Sequence, residues 1–470
     1  MLCNKDNNLF PNKQFFLAQS VPLTTIMTLL FVIYSLWATM GALWVIVRRL
    51  DPLSAWVWSL SMLLCPPLAT LLYWFTAQPS SAAATEPRRS SDTRLQRLIH
   101  SECGSAVSRQ NALRPLHNAD QTFCALIRDL QRARSEILIQ YYILGCDRLG
   151  RAVARLLMRR ARAGVRVCVL YDAIGSYSLP RRELERLRQS GIQIRAWGRL
   201  RFPLLRPQLN CRNHRKIVVV DGHIAYIGGI NIATRYVDGG RHGFWRDEHL
   251  RIEGDVATHL HELFRSDWLS AGGEELLPLP EQKQSRPSNP SHPLQIIHSA
   301  EGPTRHALSR AIIEAICSAR HNVRISTPYL LPPPALLEAI CIAARSGVEV
   351  ELLIPARSDV RIAGLAAEAF IRYCVRHGVK IYRYRNGFLH SKLITIDESV
   401  AIVGSANLDY RSLCYNLEAS VAIYSPALVR EYNSRFYTDL ALSEPVSRLQ
   451  RPIISRLLAE GLARLLAPLL

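Results

Sequence analysis

Ten residues recur in this chain, and the recurrence narrows what it can fold into. Asn213-His214-Arg215-Lys216-Ile217-Val218-Val219-Val220-Asp221-Gly222 is matched without a gap by Leu389-His390-Ser391-Lys392-Leu393-Ile394-Thr395-Ile396-Asp397-Glu398. In each copy a His stands two residues before a Lys, and an Asp follows. At the same offset Gly228 falls on Gly404, Asn231 on Asn407 and Arg235 on Arg411. A match sustained this far at one offset marks a duplicated unit. Each copy reads as strand, tight turn, strand: an apolar β-rich run ends at Asp-Gly or Asp-Glu-Ser, and a second apolar run closes on glycine. Residues two apart on a strand share a face, so His214 is expected beside Lys216 and His390 beside Lys392. An ammonium next to an imidazole suits an anionic reactant. The lysine holds a phosphate oxygen as a point charge, and the imidazole serves as nucleophile or proton donor.

The surroundings repeat as well. Helix is expected over 123–134, 149–163 and 181–189, with strands over 136–142, 165–171 and 192–197 before the first motif. The order returns as strands over 323–327, 348–354 and 379–384, with helices over 335–346 and 363–377, before the second. Ala161-Arg162-Ala163-Gly164-Val165 and Ala344-Arg345-Ser346-Gly347-Val348 make similar helix-to-strand joins. Strands separated by helices imply βαβ units, and the duplication is one of whole domains. The expected organisation is an N-terminal tail (1–19), an apolar hairpin (20–76), a Ser/Ala/Arg-rich linker (77–111), a first α/β domain (112–270), a second linker (271–293), a second α/β domain (294–443) and a basic amphipathic tail (444–470).

The first apolar run, over 23–47, carries no charge and is long enough to cross a bilayer. It is too long for a signal peptide, lacks a small-residue cleavage site, and is followed at once by a second apolar run over 53–75 with Trp56, Trp58, Tyr73 and Trp74 near its ends. A two-helix transmembrane hairpin is the expectation, with Pro66 and Pro67 kinking its second span. Lys5, Lys13, Arg88, Arg89, Arg94 and Arg97 flank its outer ends, against Arg48 and Arg49 in the connection, which leans toward a cytoplasmic catalytic body. The tail spaces its Ile and Leu residues helically among Arg448, Arg451, Arg456 and Arg464. Two readings of it stand open: an in-plane membrane helix, or a terminal helix packed on the body. The formal charge of +20, from 58 Lys plus Arg against 38 Asp plus Glu, calls for an anionic partner, either nucleic acid or acidic lipid head groups. Eleven scattered cysteines without a C-x-x-C pair argue against a disulfide framework or zinc site.

The paired His-x-Lys-x-x-x-x-Asp motifs, each followed by Gly-x-x-Asn, resemble the phospholipase D superfamily, and more closely its bacterial cardiolipin synthase branch. Arg-Asn-His-Arg-Lys, Gly-Gly-Ile-Asn, Phe-Leu-His-Ser-Lys and Gly-Ser-Ala-Asn-Leu-Asp carry the resemblance, which extends over nearly the whole chain. It implies two duplicated phospholipase D-like α/β domains packed with their active-site halves together behind the membrane hairpin. It also implies an enzyme of the inner membrane that needs no cofactor or metal and acts on phospholipid, not nucleic acid. The implied reaction moves a phosphatidyl group from one phosphatidylglycerol to another through a phosphohistidine, giving cardiolipin and glycerol. His214 takes the nucleophile's place by family order and His390 that of the general acid/base; the sequence leaves the reverse open. By the same resemblance Lys216, Lys392, Asn231 and Asn407 hold phosphate oxygens, and Asp247 and Glu418 orient the histidines. Asp221 and Asp397 count with the catalytic set as residues that shape the site, although Asp is also what a tight turn favours. One departure stands out. Where the family usually carries His-x-Glu-Tyr-Tyr, this chain has Leu138-Ile139-Gln140-Tyr141-Tyr142, so Gln140 is expected to remove a charge near the mouth of the site.

Two competitors use the same residues differently. A phospholipase D or other phosphodiesterase would use water or another alcohol as acceptor. A membrane-shaping protein with a relic site would use none, and two complete motifs weigh against it.

Overall fold

The computed structural model describes residues 23–48, 52–76, 93–198, 211–276, 291–300, 302–446 and 454–469. The expected N-terminal tail and most of the second linker lie outside them. The chain forms two compact units, Met1–Pro79 and Ser80–Leu470.

In the first unit, helix α1 (Leu23–Arg48) packs against α2 (Pro52–Leu64) and α3 (Pro66–Thr76). Tyr34 donates from its hydroxyl to the Leu64 carbonyl at 3.0 Å, and the Tyr73 ring sits 5.2 Å from those of Trp44 and Trp58. The second apolar run is thus two helices rather than the single kinked span expected. A proline lacks an N–H and disfavours helical backbone in the residue before it, so the run breaks at Cys65, ahead of Pro66 and Pro67. Among the described residues one helix, over Leu23–Val47, is by itself long and apolar enough to cross a bilayer.

The second unit opens on a finding that the expected linker hid. Helix α4 (Arg94–Cys103) starts at a capping box in which the Thr93 side chain accepts from Gln96 N and the Gln96 side chain accepts from Thr93 N. Its Leu95 and Ile99 are buried in the core of the second domain.

Half 1 then runs β1 (Asn111–His117), α5 (Asn118–Arg132), β2 (Glu136–Tyr141), α6 (Arg148–Arg162), β3 (Arg166–Asp172), α7 (Arg181–Gln189), β4 (Gln193–Trp197), β5 (Ile217–Val220), β6 (Ile224–Gly228), α8 (Arg235–Asp238), β7 (Trp245–Arg246), β8 (Glu248–Gly254) and α9 (Asp255–Ser270). Half 2 runs β9 (Leu294–Ser299), α10 (Ala307–Cys317), β10 (Asn322–Ser326), β11 (Leu330–Leu331), α11 (Pro334–Arg345), β12 (Glu349–Pro355), α12 (Arg361–Arg376), β13 (Lys380–Tyr384), β14 (Phe388–Leu389), β15 (Leu393–Ile396), β16 (Val400–Gly404), β17 (Leu408–Asp409), α13 (Tyr410–Cys414), β18 (Glu418–Ile423), α14 (Pro426–Leu440) and β19 (Ser443–Pro445). A last helix, α15 (Ile454–Leu465), follows.

The sheet order is β1-β8-β6-β5-β2-β3-β4 in half 1 and β9-β18-β16-β15-β10-β12-β13-β19 in half 2. Strand for strand these are one topology, with β19 added at an edge. In both, three parallel strands from βαβ crossovers meet an antiparallel hairpin that carries the motif.

The strand period of two builds the layers. In β5, Val218 and Val220 face the core under the outer helices of half 1, while Ile217 and Val219 face the other way. In β15, Ile394 and Ile396 face the outer core of half 2, while Leu393 faces inward. The inward residues of both sheets join α9 and α14 in one shared core that includes Phe264, Trp268, Val421 and Tyr432. Burying that common apolar layer holds the halves face to face, and the hairpins of both copies abut there.

Candidate active site

Short cross-connections carry each motif into the other half. Trp245-Arg246 pairs in parallel with Phe388-Leu389, and the His390 amide donates to the Arg246 carbonyl at 2.8 Å. Likewise Asn213 bridges Leu417, and the His214 amide donates to the Leu417 carbonyl at 2.9 Å. Each histidine is therefore held by backbone from the opposite domain, directly beside that domain's carboxylate.

The carboxylates are exchanged accordingly. His214 Nδ1 donates to Glu418 Oε1 at 2.9 Å, and His390 Nδ1 donates to Asp247 Oδ2 at 2.6 Å. Both carboxylates are fully buried. A carboxylate on Nδ1 fixes the tautomer and leaves Nε2 as the reactive nitrogen, the logic of a triad. Aromatic rings pack against the imidazoles: Tyr142 lies edge-on 4.8 Å from His214, Tyr236 edge-on 5.5 Å from His390, and Trp245 tilted 5.0 Å from His390.

The lysines complete each pair. Lys216 Nζ donates to the His214 carbonyl at 2.5 Å, and Lys392 Nζ donates to the His390 carbonyl. Lys392 Nζ also sits 2.8 Å from His390 Nδ1. That nitrogen already gives its proton to Asp247, so this second approach is a charge held beside the ring.

These groups share one electrostatic field. Burial lowers the proton affinity of His214, with Lys216 and Lys392 adding to the effect and Glu418 opposing it. His390 is pushed well below the ordinary imidazole range by burial, then by Lys392, Lys216 and His214. Burial also brings Lys216 down to about 7 and lowers Lys392. Asp247 is pushed up to about 6 by burial, against Lys392. Burial pushes Glu418 the same way, but His214, Lys216 and Ser405 together outweigh it and hold it below the usual carboxylate range. Burial thus disfavours charge on most of these groups, and the two lysines add positive potential at both rings. A phosphodiester anion placed there would draw protons onto both lysines and onto the ring that serves as acid, while the attacking ring keeps a free Nε2.

The two asparagines join this neighbourhood with part of their amides engaged. Asn231 donates to the Tyr236 hydroxyl at 2.6 Å and accepts from Ile143 N at 3.1 Å; Asn407 donates to Asp409 Oδ2 at 3.0 Å. Each amide nitrogen keeps one further N–H.

Asp221 and Asp397 stand apart from the cluster of histidines, lysines and their carboxylates, in the place of residues that shape the site. Both stand at the tight turn in left-handed backbone, φ 50° and 51°. Their carboxylates accept backbone N–H groups from the start of the neighbouring strand: Arg134, Ser135 and Glu136 in one half, Arg320, His321 and Asn322 in the other. They fasten the hairpin to the sheet at the end remote from the histidines. The position expected of Gln140 is corrected. It is fully buried beneath the motif, donating to Asn213 Oδ1 at 2.8 Å and Asp267 Oδ2 at 2.5 Å, not placed at a mouth.

Several residues that hold the site were not singled out from sequence. Arg215 pairs with Asp267 at 2.5 Å and donates to the carbonyls of Ser299 at 2.6 Å and Glu418 at 3.2 Å. Arg246 pairs with Asp439 at 2.8 Å and with Glu248. Asp172 accepts from the backbone N–H groups of Ile174, Gly175 and Asn213, tying the β3 loop to the first motif. Ser405 donates to Glu418. A signal existed for two of them. Asp267 and Asp439 both sit in the last turn of a helix, where the helix dipole disfavours an anion unless a tertiary cation holds it.

Comparison with known proteins finds the same duplication. The family described as "Cardiolipin synthase, PLD-like domain" matches twice, over residues 126–268 and 312–440. The chain is 36% identical over 369 residues to cardiolipin synthase 2 of Bacillus anthracis, covering 77% of this chain and 72% of that one. It is 38% identical over 366 residues to cardiolipin synthase A of Pseudomonas aeruginosa, covering 77% and 74%. Among solved structures, the phosphatidylserine synthase of Haemophilus influenzae superposes with a TM-score of 0.59 at 14% identity, covering 80% of this chain and 100% of that one, a likeness of fold.

Proposed function

Since this chain belongs to the phospholipase D superfamily, in its cardiolipin synthase branch, we propose how its site carries out that branch's chemistry. The enzyme is a phosphatidyltransferase that joins two phosphatidylglycerols into cardiolipin and glycerol. The crossed contacts, His214 to Glu418 and His390 to Asp247, are the observation that carries the mechanism.

His214 Nε2 attacks phosphorus of the first phosphatidylglycerol. The bond to the glycerol oxygen breaks, and His390 Nε2–H supplies the proton that lets glycerol leave. The phosphatidyl group is then held on His214. The primary hydroxyl of a second phosphatidylglycerol gives its proton to His390 and attacks the same phosphorus. The P–N bond breaks and cardiolipin departs. Lys216 and Lys392, with the spare N–H of Asn231 and Asn407, hold the non-bridging oxygens as charge builds on them. Glu418 and Asp247 keep each ring in register and stabilise it when charged.

Exchange of the two roles is the second reading, because each ring has the same equipment, a carboxylate on Nδ1 and a lysine on its own carbonyl. A phosphatidyl ester of p-nitrophenol separates the two, because that leaving group needs no general acid. With His214 as nucleophile, His390→Ala releases a burst of nitrophenol and carries a covalent lipid, and His214→Ala does neither. The opposite pattern exchanges the roles. Transfer itself is tested by giving the purified full chain labelled phosphatidylglycerol: cardiolipin and glycerol are expected, and phosphatidic acid with glycerol as sole products would make it a hydrolase.

The membrane arrangement is part of the same reading. Helix α1 has 26 residues, a length of about 39 Å at 1.5 Å per residue, enough for a hydrocarbon core of about 30 Å. Helices α2 and α3 return as a second span broken at Pro66-Pro67, which would leave both ends of the hairpin and the catalytic body on the cytoplasmic side of the inner membrane. A reporter fused after Thr76 and active in the periplasm would reverse that topology.

A further inference from the structure

The polarity of helix α15 is inverted relative to an ordinary terminal helix. Such a helix docks with its apolar face and shows its charges to water. Here Glu460 is the inward residue, 1% exposed, bonded to Arg372 of α12 and accepting from Arg456 Nε at 3.1 Å. Ala463 is buried beside α12's Ala363 and Ala366. The ion pair and the small residues seat the helix, which leaves its leucines outside. Leu458 and Leu462 are each 64% exposed and Leu465 74%, and Ile454, Leu457 and Leu466 lie in the open with them. Helix α12, packed against α15, adds Ile362 and Leu365 to the exposed apolar set. An apolar surface of that extent is rare on a protein surrounded by water.

The charge at its edge identifies what covers it. A cavity of ≈ 380 Å³ opens between α12 and α15, with Arg361, Arg383 and Arg456 in its lining. The acidic side chain in that lining, Glu368, is already bonded to Arg383 at 2.9 Å. Exposed leucines bordered by guanidinium groups match the boundary of an anionic bilayer, where acyl chains lie below phosphate.

We propose that α15 and the adjoining end of α12 form an in-plane membrane-docking surface of the catalytic body. Its leucines enter the acyl region of an anionic leaflet, and the arginine-lined cavity receives the phosphate of a lipid head group. Both sequence readings of the tail then hold together: the helix packs on the body through its polar face and on lipid through its apolar one. The inference stands on α15 and α12 and is independent of the reading of the active site.

The test places p-benzoylphenylalanine at Leu462, and separately at Leu458 and Leu465, in the full chain reconstituted in phosphatidylcholine vesicles with or without 40% phosphatidylglycerol. The exposed Arg188 on α7 serves as the control position. After illumination, mass spectrometry is expected to find phospholipid adducts at the three leucine positions at least about tenfold above the control. Phosphatidylglycerol should be enriched in them relative to its share of the vesicle, and Arg361→Ala with Arg456→Ala should abolish that enrichment. Adducts to a second copy of the chain, or to another segment of the same chain, would overturn the proposal, as would leucine positions no better than Arg188. Enrichment that survives loss of both arginines would overturn the cavity's part in it.

Discussion

Half 1 and half 2 share a strand order and a motif, yet they hold their histidines by different means. Glu418, the carboxylate that half 2 lends, also receives the hydroxyl of Ser405. Asp247, the one that half 1 lends, is a methylene shorter and closes on its histidine at 2.6 Å. The position matching Ser405 in half 1 is Gly229, and a Cβ there would lie 2.2 Å from Asp247 Oδ1. The shorter acid therefore occupies space that the longer one leaves to a serine. The cations are unevenly divided too. Arg215 and Arg246 both belong to half 1, and both reach into half 2; their counterparts are Ser391 and Leu417. Duplication supplied two identical frames, and the site required complementary ones. One half kept the buried arginines that clamp its partner, while the other accepted them with backbone carbonyls and Asp439.

The largest test of that difference removes each carboxylate's charge. Asp247→Asn and Glu418→Gln should each lower kcat/KM by about 10³- to 10⁴-fold, the size of effect when a triad acid loses its charge. Their pH behaviour should differ. Asp247 gains a proton as pH falls through about 6, so wild-type kcat/KM should fall below that point. Glu418, held below the usual carboxylate range, stays ionised there. On the alkaline side Lys216 loses its proton as pH rises through about 7, so kcat/KM should fall again. Lys216→Arg keeps its charge at any working pH and should shift that limb upward by more than about one pH unit. An unmoved limb would assign it to another group.

Next in size is the uneven clamp. Arg215→Met strands the Asp267 carboxylate and the carbonyls of Ser299 and Glu418, and should destabilise the catalytic body by about 3–5 kcal/mol. The matching change in half 2, Ser391→Ala, removes a buried hydroxyl that has no hydrogen-bond partner among the described residues, and should fall within about 0.5 kcal/mol of wild type. Thermal unfolding in detergent compares them directly. Equal effects would mean that the halves clamp each other symmetrically. Gly229→Ser comes third. It drives a side chain into Asp247 and should cost about 10²-fold in kcat through misplacement of His390, whereas Ser405→Gly gives up the hydroxyl's bond to Glu418 and the one it accepts from Ala419 N, and should cost about tenfold.

The same contrast explains what the sequence made legible. Position-matched repetition exposed His214, Lys216, His390, Lys392 and the asparagines, because a single offset aligns them. The βαβ order was readable from short apolar runs such as 165–171 and 348–354 set between helical stretches, and from glycines such as Gly164 and Gly347, whose φ values of 87° and 92° end matching helices. What repetition could not show is where the copies diverge. The exchange of Glu418 and Asp247 joins residues 204 and 143 positions apart, and no local pattern records it. Asp221 and Asp397 repeat as faithfully as the histidines, but a turn in left-handed backbone selects Asp as firmly as chemistry does, and their contacts show the turn at work. Helix α4 was legible in principle through Thr93 and Gln96, but the Ser- and Arg-rich residues before it obscured that short signal.

Gln140 gives the smallest effect and the sharpest view of how half 1 is tuned. Its amide donates to Asp267 Oδ2, which also takes Arg215 Nη1, so one guanidinium and two amides surround one carboxylate. Ser326 is the counterpart on β10 in half 2, where Ser391 and not an arginine follows the histidine. Gln140→Glu would restore the acid usual at this position in the family and set two carboxylates around Arg215. Like charges in contact raise the folded-state pKa of one of them above its unfolded value. Such a group binds more protons folded than unfolded across that interval, so the variant should lose stability relative to wild type as pH rises through it and approach wild type at lower pH. A loss of about 1 kcal/mol at neutral pH, shrinking toward pH 5, is the expected result in thermal unfolding. A loss that stays constant with pH would mean that the added carboxylate turns away from Asp267 and that Gln140 acts through its hydrogen bond to Asn213 alone.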